Sequence, residues 1–203
     1  RIVFLAGLLH DILDSKLVDA EQDTRSIEDQ AKDILKRCEG ASDEAVGKIM
    51  QIVKSVGYKN LIKPDWGVTV AQLPREYECV QDADLLDAIG SIGLTRVFSY
   101  GGRKNRPVFG FTEAESLGVN TELTAEQYVL RAGGSIEHFF DKLLRIRMLL
   151  RTRRGSALGE KRHFRMVQFL RDVDDELKEG GDPEAGRISA LLQDDSITSA
   201  RGL

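Results

Sequence analysis

Cysteine is scarce in this chain: Cys38 and Cys79 are the only two in 203 residues, too few for a disulfide framework. Their scarcity points to a reducing, cytoplasmic setting. Strand signals are nearly absent as well, since only residues 67–71 alternate in a β-like way, and there is neither an internal repeat nor a low-complexity tract. No long hydrophobic run exists. The longest, residues 2–9, is closed by His10 and Asp11 and falls far short of the roughly 20 apolar residues that span a bilayer. Charge of one sign is not in excess either. With 29 Lys and Arg against 33 Asp and Glu the net charge is -4, so the chain as a whole has no reason to seek nucleic acid or an anionic membrane, and any anion site must be local. The chain opens on Arg1 inside an apolar periodic segment, without the arrangement of a signal peptide, and reads as a fragment whose true N-terminus is missing.

What is present is a globular composition, 41% hydrophobic and 31% charged, of a length that suits one domain or a domain with a tail. Apolar residues recur at helical spacing almost throughout, so the expected class is all-α. Leu5, Leu8, Leu9, Ile12 and Leu13 mark a first helix. Ile27, Ala31, Ile34, Leu35 and Cys38, with Ser26 as N-cap and Asp29 in the first turn, mark a second. Val46, Ile49, Met50, Val53 and Val56 mark a third that stops at Gly57 and pairs with the second as a hairpin over residues 39–43. Tyr77, Val80, Leu85 and Ile89 follow, with Gly90 ending or bending the helix. Residues 100–123, rich in Gly, Arg and Asn, read as a long surface connection. Phe139, Phe140, Leu143, Leu144, Ile146 and Leu149 form a strong helix, and Phe164, Val167, Phe169, Leu170 and Val173 another. Asp182 and Pro183 start a last short helix reaching Leu192, after which residues 194–203 fray.

Two constellations carry chemistry. His10 and Asp11 lie side by side at the end of an apolar helix, where burial penalises both groups. Adjacent helical positions differ by about 100°, so both reach one ion only if it sits in a groove between helices. Imidazole nitrogen with carboxylate oxygen suits divalent cations of the Mn, Fe, Ni, Zn or Mg kind, whereas the plainer alternative is a half-buried His bonded to its neighbouring Asp. Asp82, Asp84 and Asp87 stand among Ala83, Leu85, Leu86 and Ala88; Asp84 and Asp87 share a face and Asp82 points elsewhere. A bound cation would relieve the repulsion among them, and an acidic stripe facing solvent is the other reading.

His10-Asp11 followed far downstream by Ala83-Asp84 on an apolar helix resembles the HD superfamily, whose pattern is a His, then His-Asp, then a distant Asp. The stretches Leu8 to Lys16 and Val80 to Gly90 are similar to the YpgQ/YedJ-like branch of HD phosphohydrolases. Gly93 to Phe98 with Tyr100 to Gly102, Ser135 to Phe139 with Lys142 to Leu144, Arg162-His163 and Phe169-Leu170 continue the likeness to about Leu177. Two departures stand out. The first His of the pattern would lie upstream of Arg1, and Leu85 occupies a position where the group usually has Arg.

The resemblance implies an HD-domain helical bundle over residues 1–178, with residues 179–203 a short helix and tail. It implies a divalent metal, Mn, Mg, Ni or Fe, held by His10, Asp11 and Asp84, and hydrolysis of phosphoanhydride or phosphoester bonds of nucleotides, with pyrophosphate release from triphosphates foremost. Asp11 is expected to be catalytic as well as a ligand. Asp14 is a candidate proton acceptor and Lys16 a candidate catalytic and phosphate-binding group, set against an exposed pair that merely ends the helix. Arg103, Lys104 and Arg106 offer a phosphate clamp or a solvated loop tip, and Lys142 with Arg145, Arg147, Arg151, Arg153 and Arg154 offers a site mouth, an RNA contact that no aromatic interleaving supports, or a solvated face. His138 and His163 read as structural, and Arg162 as the partner of a carboxylate. The expected partner is a nucleotide or other phosphorylated small molecule, with membrane and nucleic acid disfavoured and a homodimer left open. The rival reading is a non-catalytic HD module that binds a nucleotide or a protein. Alarmone hydrolysis is disfavoured because no acidic pair follows His10-Asp11.

Overall fold

The computed structural model describes residues 1–13, 27–38, 42–61, 70–110 and 133–193. Among these every regular element is helical, as the periodicity predicts. The chain forms two compact units, divided between Asp84 and Leu85.

The first unit holds α1 (Ile2–Leu9), α2 (Ile27–Lys36), α3 (Asp43–Ser55), α4 (Tyr58–Leu61), a 3-10 turn (Val70–Gln72) and most of α5 (Glu76–Asp87). Helix α3 is its centre, because both α1 and α2 pack on it. Its start is set by Ser42, whose Oγ accepts from the Ala45 N–H at 3.2 Å, and its end by Val56, after which Gly57 takes φ +122°. Ile49, Ile52 and Val53 are buried here with Ala31, Leu35 and Tyr77, at about 1.5–3 kcal/mol for each large aliphatic side chain. At the rim, Glu28 of α2 meets Lys32 and, on α3, Lys54, each at 2.7 Å. Hydrogen bonds from those two ammonium groups lower the Glu28 carboxyl to about 2.

Helix α1 is shorter than its apolar spacing suggests. It stops at Leu9, residues 11–13 form turns, and Leu8, expected on the inner face, is 70% exposed beside Phe4 at 71%. Ala6 is the residue that α1 buries completely. The Ser26 cap and the hairpin turn at residues 39–41 lie outside the described residues, as do residues 67–69 of the β-like stretch, of which residues 70 and 71 are in the 3-10 turn.

The second unit contains α6 (Gly90–Arg103), α7 (Glu137–Asp141), a 3-10 turn (Leu143–Arg145), α8 (Ile146–Leu149), α9 (Arg153–Glu179) and α10 (Arg187–Leu191). Helix α9, started by the Thr152 hydroxyl accepting from Gly155 N–H at 2.9 Å, packs on α6, α8 and α10. Phe98 of α6, Phe139 of α7 and Phe169 of α9 pack together with ring centroids 5.8–6.2 Å apart. Four expectations are corrected here. Residues 100–103 are the last turn of α6 rather than loop, and of the remaining connection residues 111–123 lie outside the described residues. The apolar run from Phe139 to Leu149 is three short helical pieces, because the backbone leaves helical geometry at Lys142 (φ -135°, ψ -60°) and Arg145 Nε then donates to Phe140 O at 3.2 Å. Phe164 is 63% exposed, outside the buried stripe of α9 formed by Met166, Val167 and Leu170. The last helix also begins later than Pro183, at Arg187.

Of the two roles expected for Gly90, ending the helix or bending it, the structure shows the first. With φ +77° it ends the α5 region and opens α6, and a Cβ there would lie 2.8 Å from Arg162 Cγ. Arg162 Nη1 donates to the Leu86 carbonyl, so this arginine caps a helix end, and among the described residues no carboxylate pairs with it. Gly90→Ala is therefore expected to cost about 2 kcal/mol, combining left-handed strain with displacement of Arg162. Urea unfolding checks this; a cost below about 0.5 kcal/mol would mean that neither constraint operates.

Candidate metal centre

Helix α1 ends on His10, which still has helical dihedrals (φ -56°, ψ -33°). Its Nδ1 lies 2.7 Å from Gly7 O. A carbonyl only accepts, so Nδ1 carries the proton and the lone pair belongs to Nε2. Nε2 is 3.2 Å from Asp11 Oδ2 and 3.8 Å from Asp84 Oδ1. A lone pair facing two carboxylates is electrostatically unfavourable by itself; a second proton on the ring or a cation between the three groups removes the conflict.

The residues fit a divalent cation on chemistry, while the His10–Asp84 separation of 3.8 Å is wider than bound ligands keep. One imidazole nitrogen and two carboxylate oxygens are the donor types such ions take, and ligands bound at about 2.1 Å lie roughly 3 to 3.5 Å from one another. The Nδ1–H to backbone carbonyl bond is the outer contact that orients a ligating His. His10 and Asp84 have side chains 29% exposed and Asp11 66%, so the trio is open to solvent on one side. Among the described residues no three His, Cys, Asp or Glu side chains make a complete metal cluster, so the trio is a partial ligand set.

The other acidic residues of α5 part ways. Asp87 forms a surface ion pair with Arg96, so its counter-charge is a guanidinium. Asp82, which helical spacing aims away from Asp84, is 3% exposed and belongs to the interior. Behind Asp84, one turn earlier on α5, Gln81 is fully buried; its Oε1 accepts from Gly57 N–H and from Tyr77 Oη, both at 3.1 Å. Gln81 Nε2 is buried and has no hydrogen-bond partner among the described residues, which costs about 1–3 kcal/mol. Sequence reasoning did not single out Gln81, although its place three residues before Asp84 was a signal.

Asp14 and Lys16 lie outside the described residues. Arg103, Lys104 and Arg106 are exposed at the end of α6, with Lys104 Nζ 6.0 Å and Arg106 Cζ 5.4 Å from the centroid of the Tyr100 ring. Lys142 is half-buried after α7. The arginine run is not a uniform solvated face: Arg147 is 3% exposed and reaches Glu160 of α9 at 3.4 Å. His163 is buried and His138 half-buried. No described helix is long and apolar enough to cross a membrane.

The all-helical structure is similar to that of an HD-superfamily hydrolase, and the chain fits the YpgQ-like HD branch. It is homologous to YpgQ of Bacillus subtilis, an uncharacterized protein, with 28% identity over 177 residues that cover 87% of this chain and 72% of YpgQ. The crystal structure of YpgQ in complex with ADP matches with TM-score 0.59 and 27% identity, covering 86% of this chain and 73% of that one. An HD-superfamily hydrolase of Bacillus thuringiensis matches with TM-score 0.57 and 25% identity, covering 87% and 73%. A Lactobacillus plantarum structure, 24% identical with TM-score 0.66 over 88% of this chain and 76% of its own, shares the fold. No family model matches the chain.

Proposed function

We propose that this chain is a metal-dependent phosphohydrolase acting on nucleotides, with pyrophosphate release from nucleoside triphosphates as its main reaction. The observation that carries this reading is His10 Nε2, its lone pair turned toward Asp11 and Asp84 while Nδ1–H is held by Gly7 O. His10, Asp11 and Asp84 would hold a divalent ion, Mn, Mg, Ni or Fe, which when bound would supply Lewis-acid activation of water and neutralisation of phosphoryl charge. Gly7 O keeps the imidazole in one tautomer. Asp11, the most exposed of the three, is the one open to exchange between ligand and proton acceptor. Asp14 takes the role of proton acceptor and Lys16 that of a catalytic and phosphate contact. Arg103, Lys104, Arg106 and Lys142 are proposed phosphate contacts. ADP bound to YpgQ, at 27% identity, favours a nucleotide as substrate. Residues 1–178 are the proposed HD domain, with residues 179–203 a short helix and tail.

A non-catalytic nucleotide-binding HD module is the second reading. It is favoured by the partial ligand set and by Leu85, 2% exposed in the core where the resemblance expects Arg. Phosphate and pyrophosphate release from a nucleotide panel with Mn, Mg, Ni or no metal decides between them. Metal-dependent release is expected; tight nucleotide binding with no release from any member would establish the binding module.

A further inference from the structure

We propose that Gln81 is a positioning residue that sets the separation between Asp84 and His10, and this rests on the metal-site reading above. Helix α1 carries His10 and packs on α3; helix α5 carries Asp84. Besides apolar packing of Tyr77 and Val80, α5 is tied to α3 through Gln81, whose Oε1 accepts from the Gly57 N–H just past the end of α3, at 3.1 Å. The same oxygen accepts from Tyr77 Oη one turn back on α5. Gln81 and Asp84 are three residues apart and share a face, so the anchor point and the acidic side chain move together.

The amide cannot be turned around. A backbone N–H only donates, so the oxygen must face Gly57, which leaves Nε2 as a buried donor without a partner among the described residues. A residue kept only to fill volume would carry no such penalty; Met occupies nearly the same space with no polar atom to strand. The polar group is retained because its oxygen holds the end of α3 against α5. Gly57 has φ +122°, a conformation that presents the N–H at that point and that other residues rarely adopt.

The test compares Gln81→Met with Gln81→Glu in the full chain. Glu keeps an oxygen for Gly57 and Tyr77, while Met keeps the volume and loses the acceptor. Two readouts are used: Mn affinity by isothermal titration, and the ring-nitrogen NMR shifts of His10 in metal-free protein, in which there are three histidines to assign. Gln81→Met is expected to shift the His10 Nε2 resonance and to weaken Mn binding about tenfold or more, with both restored in Gln81→Glu. The reverse pattern, Met behaving as the parent and Glu not, would overturn the proposal. If the Met variant does not fold, Tyr77→Phe, which deletes one of the two donors, carries the test: a displaced His10 resonance supports it and an unchanged one overturns it. If the parent itself binds no Mn, the metal reading fails, and the His10 resonances alone decide the role of Gln81.

Discussion

Asp84→Ala is expected to abolish the proposed metal-dependent release of phosphate or pyrophosphate and to leave the fold standing. Asp84 Oδ1 is 3.8 Å from His10 Nε2 and its side chain is 29% exposed, so removing it takes away one of three donor groups without opening the core. The loss expected in kcat/KM is at least about a hundredfold, since even contacts outside a metal's own ligands are worth about 10- to 100-fold in affinity or activity. Asp87→Ala is the matched control on the same helix. Asp87 is 62% exposed and paired with an Arg96 that is 60% exposed, an interaction of about 0–1 kcal/mol at a surface, so activity and melting temperature should stay near those of the parent. Steady-state kinetics and a thermal melt on the three proteins check this. Full activity in Asp84→Ala would remove the metal-site assignment.

Asp174→Ala lowers stability by about 3 kcal/mol and the melting temperature by about 6–12 °C. Asp174 is fully buried on α9, where its oxygens accept from Gly186 N–H at 2.9 Å, from the Ser189 hydroxyl and from Lys178 Nζ at 2.8 Å. Two of these partners lead into and sit on α10, whose Ile188 is buried, so the carboxylate is what docks that helix. Its loss strands an N–H and a hydroxyl and frees an apolar face. The effect depends on pH in a definite direction. Burial alone would raise the Asp174 carboxyl, but hydrogen bonds from Lys178, Ser189 and Gly186 outweigh it and hold the group below its usual range. A carboxyl lowered in the folded state contributes stability that is fully present above the ordinary carboxylate pKa, near 4, and is lost as pH falls through the lowered folded value. The cost of Asp174→Ala should accordingly be full at neutral pH and shrink in acid. Urea unfolding of parent and variant at neutral and acid pH measures it. A cost that is the same at both would show that the ionised carboxylate is not the docking element.

Much of this was legible from spacing. Tyr77, Val80, Leu85 and Ile89 recur at helical intervals, and all four are buried at 3% exposure or less, because a helix that packs on one side can bury only one stripe. The same rule failed between Phe139 and Leu149. Successive short helical pieces bury apolar residues at nearly the same intervals as one long helix, and what separates the two is the backbone at Lys142, which no pattern of side chains announces. Phe164 lies only three residues before Val167 yet falls outside the stripe, since the width of a buried face depends on what packs against it. Arg147 looked like one more solvated cation, and its burial depends on Glu160, a residue of another helix.

The sequence by itself determined the all-helical class and the main helical stripes, and it marked His10 and Asp84, both half-buried, though not the exposed Asp11, as groups whose burial calls for a partner. These are consequences of local periodicity and of the cost of desolvating charge, which act wherever such residues stand. Only the tertiary structure decided that His10 turns Nε2 toward Asp84, that Gly7 O fixes its tautomer, that Asp87 has Arg96 for company, and that Gln81 ties α3 to α5. Those outcomes depend on atoms brought together from distant parts of the chain, where differences of an ångström decide which donor meets which acceptor.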